Sequence, residues 1–190
     1  MAYNDIEVEI KLSVSEDEFF GARNKLKQIA KFVLKAREED EYFTPRHKDF
    51  MDVKYPFEWL RIRKRGDKNI INYKHFYPEN TEIFSHCDEF ETELTSFEKI
   101  RKIFDALDFK SLVIVDKERE IYEYNEEFEI GLDKVNELGF FIEIEALKDF
   151  GSVEKTREKL FEFAKMLGLD ITKTLNKGYP YLLMEKKGLF

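Results

Sequence analysis

Six separate stretches of this chain alternate charged and apolar residues at every second position, and no other feature constrains the fold as tightly. The first is Ile6-Glu7-Val8-Glu9-Ile10-Lys11. In an extended strand successive side chains point to opposite faces, so Glu7, Glu9 and Lys11 share one face while Ile6, Val8 and Ile10 share the other. The pattern returns in Leu60-Arg61-Ile62-Arg63, with both arginines on one face, and in Ile70-Ile71-Asn72-Tyr73-Lys74. Glu89-Phe90-Glu91-Thr92-Glu93 aligns three acids, Val115-Asp116-Lys117-Glu118-Arg119 aligns Lys117 with Arg119, and Ile142-Glu143-Ile144-Glu145 aligns two more acids against an aliphatic face.

Period-two patterning predicts eight strands, at about 5–12, 32–44, 58–65, 69–76, 87–95, 111–124, 127–133 and 139–147. Helices interrupt them. Ser15-Glu16-Asp17-Glu18 reads as a capping box opening a helix that runs to about Lys31, with Phe19, Leu26 and Ile29 toward the core. Ser96 to Leu107 carries Phe97, Ile100, Ile103, Phe104 and Leu107 at helical spacing, Ser152 opens a third helix ending near Gly168, and Gly178 to Lys186 forms a fourth. The longest loops are expected at 44–57 and 77–86.

The fold class this implies is mainly-β α+β: an eight-stranded antiparallel closed tunnel or barrel, apolar faces outward under the helices and ionic faces inward. The chain reads as one domain, 1–190, including C-terminal helices at about 152–186. Charge confined in a lumen costs several kcal/mol per unpaired ion, so it persists only where opposite charge, metal or ligand compensates. Lys11, Arg61, Arg63, Lys74, Lys117 and Arg119 would face Glu7, Glu9, Glu89, Glu91, Asp133, Glu143 and Glu145. Such a lumen suits a polyphosphate, with arginines binding phosphoryl oxygens in bidentate fashion and lysines serving as point charges. Bare carboxylates would repel that ligand, so some are expected to hold Mg2+ or Mn2+.

Other features narrow the partners. The formal net charge of -8 argues against a nucleic-acid wrapper, while a local basic cluster still accommodates an anionic substrate. Cys87 is the one cysteine, which excludes an intramolecular disulfide; with no apolar membrane-length run and no signal-like N-terminus, a cytoplasmic compartment without membrane contact is expected. Self-association as a homodimer is left open. His47, His75 and His86 show no ligand spacing, and Cys87 beside His86 points to the opposite face of a strand. Trp59 reads as a plug at the barrel end, Lys64, Arg65, Glu93 and Glu118 as surface charges.

These residues resemble the CYTH superfamily, which includes class IV adenylyl cyclases and thiamine triphosphatases. The resemblance rests on Glu7-Val8-Glu9-Ile10-Lys11, Leu60-Arg61-Ile62-Arg63, Tyr73-Lys74, Glu89 and Glu91, Lys117-Glu118-Arg119, Leu132-Asp133-Lys134-Val135 and Leu138-Gly139-Phe140-Phe141-Ile142-Glu143-Ile144-Glu145. It implies a tunnel binding a triphosphate such as ATP, tripolyphosphate or thiamine triphosphate. Lys11, Arg61, Arg63, Lys74, Lys117 and Arg119 would take the phosphates. Glu7, Glu9, Glu91, Glu143 and Glu145 would serve one or two divalent metals. Lys11, Glu143 and Asp133 are the catalytic candidates, with Asp133 orienting a metal or water. The opening strand is most similar to the cyclase-like branch, so cyclisation of ATP is the first expectation. Hydrolysis of a triphosphate is the second and non-catalytic polyphosphate binding the third. The tail Gly178-Tyr179-Pro180-Tyr181-Leu182-Leu183 departs from that branch.

Overall fold

In the computed structural model, which describes residues 6–189, the same alternation decides which side of each strand meets a helix. Ten strands and four α-helices follow in the order β1 (Ile6–Glu7), β2 (Glu9–Val14), α1 (Glu16–Ile29), β3 (Lys31–Pro45), β4 (Glu58–Arg65), β5 (Lys68–Tyr77), β6 (His86–Leu94), α2 (Phe97–Ala106), β7 (Phe109–Tyr124), β8 (Phe128–Val135), β9 (Gly139–Ala146), α3 (Val153–Leu167), β10 (Thr174–Leu175) and α4 (Tyr179–Lys186). Position 5 of the expected first strand lies outside the described residues.

The mainly-β α+β class and the antiparallel pairing hold, but the eight-stranded closed barrel does not. Among the described residues the hydrogen-bonded order is β1-β6-β5-β4-β3-β7-β8-β9-β2-β10, with two ends instead of a closing pair. Two local causes raise the count. The first expected strand breaks at Val8 into β1 and β2, and β10 adds Thr174 and Leu175 beside Leu12 and Lys11. No helix among the described residues is long and apolar enough to cross a membrane.

The chain divides into two compact units, and the long strands β3 and β7 contribute residues to both. The first unit takes Arg37–Asp116 with the segment from Gly178. One apolar cluster joins its sheet to α2: Phe43 and Ile62 from the strands meet Phe97 and Phe104 of the helix, with Leu60, Ile71 and Ile100 packed alongside. Ser96 caps α2 by accepting from the Lys99 N–H. The α2 pattern is only half absorbed, because Ile103 and Leu107 are exposed.

The second unit takes Glu7–Ala36 and Lys117–Lys177 and holds a larger apolar cluster. Ile10 and Leu12 of β2, Ile130 and Leu132 of β8, and Ile142 and Ile144 of β9 point to one side, under Phe19, Ala22 and Leu26 of α1 and Leu160, Phe163 and Ala164 of α3. The Ser15 capping box is complete: its hydroxyl accepts from the Glu18 N–H while the Glu18 carboxylate accepts from the Ser15 N–H. Ile29, expected in the core, is instead exposed at the last turn of α1, and Ala22 takes a core position. Gly168 stops α3 in the left-handed region, which a side chain would strain.

Alternation therefore separates a covered apolar face from an ionic one in each unit. Truncating the buried Ile144 to Ala should cost about 2–5 kcal/mol in urea unfolding. Ile103→Ala, half exposed on α2, should stay within about 0.5–1 kcal/mol. Equal losses from the two would contradict this division.

Candidate functional site

The ionic face of the second unit is built by register. Across β2 and β9, Lys11 faces Glu143 and Glu9 faces Glu145; across β8 and β9, Gly131 faces Glu143 and Glu129 faces Glu145; across β7 and β8, Arg119 faces Asp133 and Lys117 faces Val135. Directly opposed residues share a face, so these charges lie on the side of the sheet away from α1 and α3.

They interlock as a chain of alternating sign. Lys11 Nζ lies 3.8 Å from Glu9 and 3.0 Å from Glu143 Oε1. Arg119 donates through Nη2 to Glu143 and, through Nε and Nη2 at 2.7 and 2.5 Å, to Asp133; Lys117 donates to Asp133 at 3.1 Å. Asp133 is wholly buried. Both of its oxygens accept hydrogen bonds from Lys117 and Arg119, which holds these two bases in place. Gly131 has a specific part, because a Cβ there would sit 3.2–3.3 Å from the Arg119 guanidinium. A side chain at this position would push Arg119 off Asp133.

The first unit repeats the arrangement with other residues. Arg63 donates to Asp40 through Nε at 2.6 Å and Nη2 at 2.7 Å, the geometry of a bidentate pair, and lies 3.3 Å from Glu38. Arg65, expected on the surface, donates to the buried Glu38 at 2.5 Å. Arg61 makes only long contacts, 3.4 Å to Asp40 and 3.4 Å to the Tyr42 hydroxyl, and its buried Nε has no acceptor among the described residues. Asn72 donates to Glu89 and to Glu91, and Lys74 lies 3.5 Å from Glu89. Trp59 is buried edge-on against Tyr42.

Glu38, Asp40, Tyr42, Asn72 and Gly131 were not singled out from sequence. Glu38, Asp40 and Tyr42 share one parity within the expected 32–44 strand, a signal hidden by acids on the other parity at Glu39 and Glu41. His75 and His86 stack with Tyr77, and His75 Nε2 lies 2.9 Å from the Glu79 carboxylate. Glu93 and Glu118 are exposed, as is Lys64 in part, which sits over the Phe97 ring.

The five expected metal ligands do not gather at one point among the described residues, where no set of three or more acids, histidines or cysteines is arranged for a metal. Glu91 belongs to the first unit and is exposed; Glu7 is buried on β1; Glu143 has both oxygens on cations. Glu9 and Glu145, directly opposed across β2 and β9, are the pair whose chemistry fits a hard divalent cation. Like charges in opposed positions destabilise a sheet, and Mg2+ needs only one or two carboxylates when water and phosphate supply its other oxygens.

Two outcomes test these networks. Asp40→Ala strands the buried Arg63 guanidinium and should cost about 3–5 kcal/mol of stability in urea unfolding; a loss below about 1 kcal/mol would contradict the pairing. For Glu143, burial alone would raise the pKa, but the Arg119, Lys11 and Lys117 charges outweigh it and hold the carboxyl well below its usual value. A depressed folded-state pKa contributes stability that is present above the unfolded value and lost as pH falls through the folded one. Stability should therefore decline as pH drops below about 4, and Glu143→Gln should make that decline shallower; an unchanged acid limb in urea titrations would count against the assignment.

Comparison with known proteins agrees with this geometry. A relative from Methanocaldococcus jannaschii named "Putative adenylate cyclase" is 33% identical over 186 residues, 97% of this chain and 99% of that protein. A solved Pyrococcus horikoshii structure shares 33% identity at a TM-score of 0.80, covering 95% of this chain and 99% of that one. A conserved hypothetical protein from Pyrococcus furiosus shares 32% identity at a TM-score of 0.75, covering 93% and 99%. The profile of the CYTH domain matches residues 5–179, so the order of charged strands, from the Glu7-Val8-Glu9-Ile10-Lys11 motif onward, places this chain in the CYTH domain family.

Proposed function

We propose that the chain is a divalent-cation-dependent enzyme acting on a triphosphate, and that its reaction is cyclisation of ATP to cyclic AMP and pyrophosphate. One observation carries the anionic-ligand part. Arg61 Nε is buried without an acceptor among the described residues, a deficit of about 1–3 kcal/mol that a phosphoryl oxygen removes. Cyclisation is supported by the name of the 33%-identical archaeal relative.

The residues divide by role. Lys11, Lys117 and Arg119 in the second unit, and Arg61, Arg63 and Lys74 in the first, are the bases assigned to phosphoryl oxygens. Arg63 and Arg119 are already held by Asp40 and Asp133, so little side-chain entropy remains to be lost when phosphate arrives. The ribose 3′-hydroxyl attacks the α-phosphorus and gives up its proton to water, a new P–O bond forms, and the bond to the β-phosphate oxygen breaks with pyrophosphate leaving. Glu9 and Glu145, with Glu143, would hold Mg2+ or Mn2+, which would lower the pKa of that hydroxyl and offset charge on the leaving group. Glu143 and Lys11, paired at 3.0 Å, are placed to exchange partners as the charge distribution changes.

Hydrolysis uses the same bases and differs in which phosphorus meets the nucleophile. Incubation with ATP, tripolyphosphate or thiamine triphosphate plus Mg2+ or Mn2+ separates the reactions. Cyclic AMP with pyrophosphate is expected from ATP; orthophosphate without cyclic AMP would replace cyclisation by hydrolysis, and no turnover of any substrate would overturn the enzyme reading. Glu143→Ala should lower metal-dependent turnover by about 100-fold or more, and unchanged activity would sink its assignment.

A further inference from the structure

The second unit has a cleft on the other side of strand β7. Glu120 and Tyr122 alternate with Lys117, Arg119 and Ile121, so they face away from the ionic network and toward α1. Together with Arg23 and Lys27 of α1, and Phe32 and Lys35 of β3, they line a cavity of ≈ 310 Å³. Arg23 and Lys27 are four residues apart and share one helix face.

The cleft is an organised electrostatic site. Arg23 grips Glu120 through Nε and Nη2, both at 2.7 Å, and Lys35 lies 3.4 Å from the same carboxylate. Tyr122 donates to Glu120 at 3.2 Å. One carboxylate thus fixes a guanidinium, an ammonium and a phenol in place. Lys27 adds a third cation, exposed and without an ion-pair partner among the described residues. Lys35 also lies 3.7 Å from Glu118 at the rim, so three bases against two acids leave the cleft one positive charge in excess, in a chain whose formal net charge is -8. Its wall is aromatic: Phe32 meets Tyr122 edge-on at 5.5 Å, and Phe32 is 53% exposed, so much of its ring is open to a partner.

We infer that this cleft is a second ligand site, separate from the ionic faces, that takes a small anion carrying a planar ring, of the nucleoside monophosphate class. Lys27, Lys35 and Arg23 receive the phosphoryl oxygens as charge-assisted donors, and the open Phe32 ring packs on the base. The volume lies at the lower end of the ~300–1,000 Å³ typical of small-molecule sites, which favours one phosphate and one ring system over a larger ligand. Excess positive charge in a concave wall also concentrates anions near it. The inference does not depend on the reaction proposed above.

Calorimetric titration of the full chain with AMP in EDTA tests it, since chelation removes metal-dependent binding elsewhere. Saturable binding at one site is expected, tighter than that of inorganic phosphate or adenosine alone. Lys27→Glu and Phe32→Ala, both at exposed positions, should each weaken AMP by about tenfold or more. They should leave metal-dependent triphosphate turnover unchanged and keep the unfolding temperature of the parent. Lys11→Ala, on the ionic face, should leave AMP binding as it is. Absence of saturable binding, undiminished binding in Lys27→Glu or Phe32→Ala, phosphate binding as tight as AMP, or loss of AMP binding in Lys11→Ala would each overturn the inference. Because AMP binding and triphosphate turnover are read separately, failure of one is distinguishable from failure of the other.

Discussion

Asp133 is shut off from water, and a carboxyl group in that position requires partners for both oxygens, which Lys117 and Arg119 supply. Much of the second unit follows from that requirement. Arg119 must lie flat over Gly131 to reach Asp133, its Nη2 also donates to Glu143, and Glu143 in turn draws in Lys11. Strand register is fixed with them. A slip of one residue on β9 would carry Glu143 into the apolar core and Ile142 or Ile144 onto the charges. The ionic network specifies which face of the sheet the helices cover as firmly as the aliphatic residues do.

The first unit meets the same requirement with different residues, Arg63 and Arg65 held by Asp40 and Glu38. Buried pairs of this kind add little net stability compared with apolar packing of equal volume, while removing one partner is costly. They are better understood as oriented charge. Arginines already fixed in bidentate pairs present donors without first losing side-chain freedom, and Arg61, with a buried N–H lacking an acceptor, is the clearest opening for an anion.

Alternation made the ionic faces legible in the sequence: Glu9, Lys11, Arg61, Arg63, Lys74, Lys117, Arg119, Glu143 and Glu145 all stand on the ionic face of their strand. It failed where both parities carry charge. In Arg37-Glu38-Glu39-Asp40-Glu41 nothing local says that Glu38 and Asp40 are the acids that meet Arg63 and Arg65; only pairing with β4 does, and Glu41 on the other parity is buried as well. Gly131 was invisible for another reason, since its importance lies in the close approach of Arg119 from a neighbouring strand. The strand count escaped because Val8 interrupts a pattern that looks continuous, and because two-residue β10 has no period to read. Shared parity shows which acids lie on a face, and only cross-strand register adds that Glu9 and Glu145 stand directly opposed.

The central claim is that these ionic faces serve a triphosphate and a hard divalent cation. Anomalous diffraction from crystals grown with Mn2+ and a non-reacting ATP analogue with a methylene bridge between the α- and β-phosphates tests it most directly. The account predicts an anomalous peak in inner-sphere contact with carboxylate oxygens of Glu9 and Glu145, with phosphoryl oxygens on Lys11 and Arg119. Manganese bound away from both glutamates, or an analogue that leaves Lys11 and Arg119 untouched, would contradict it.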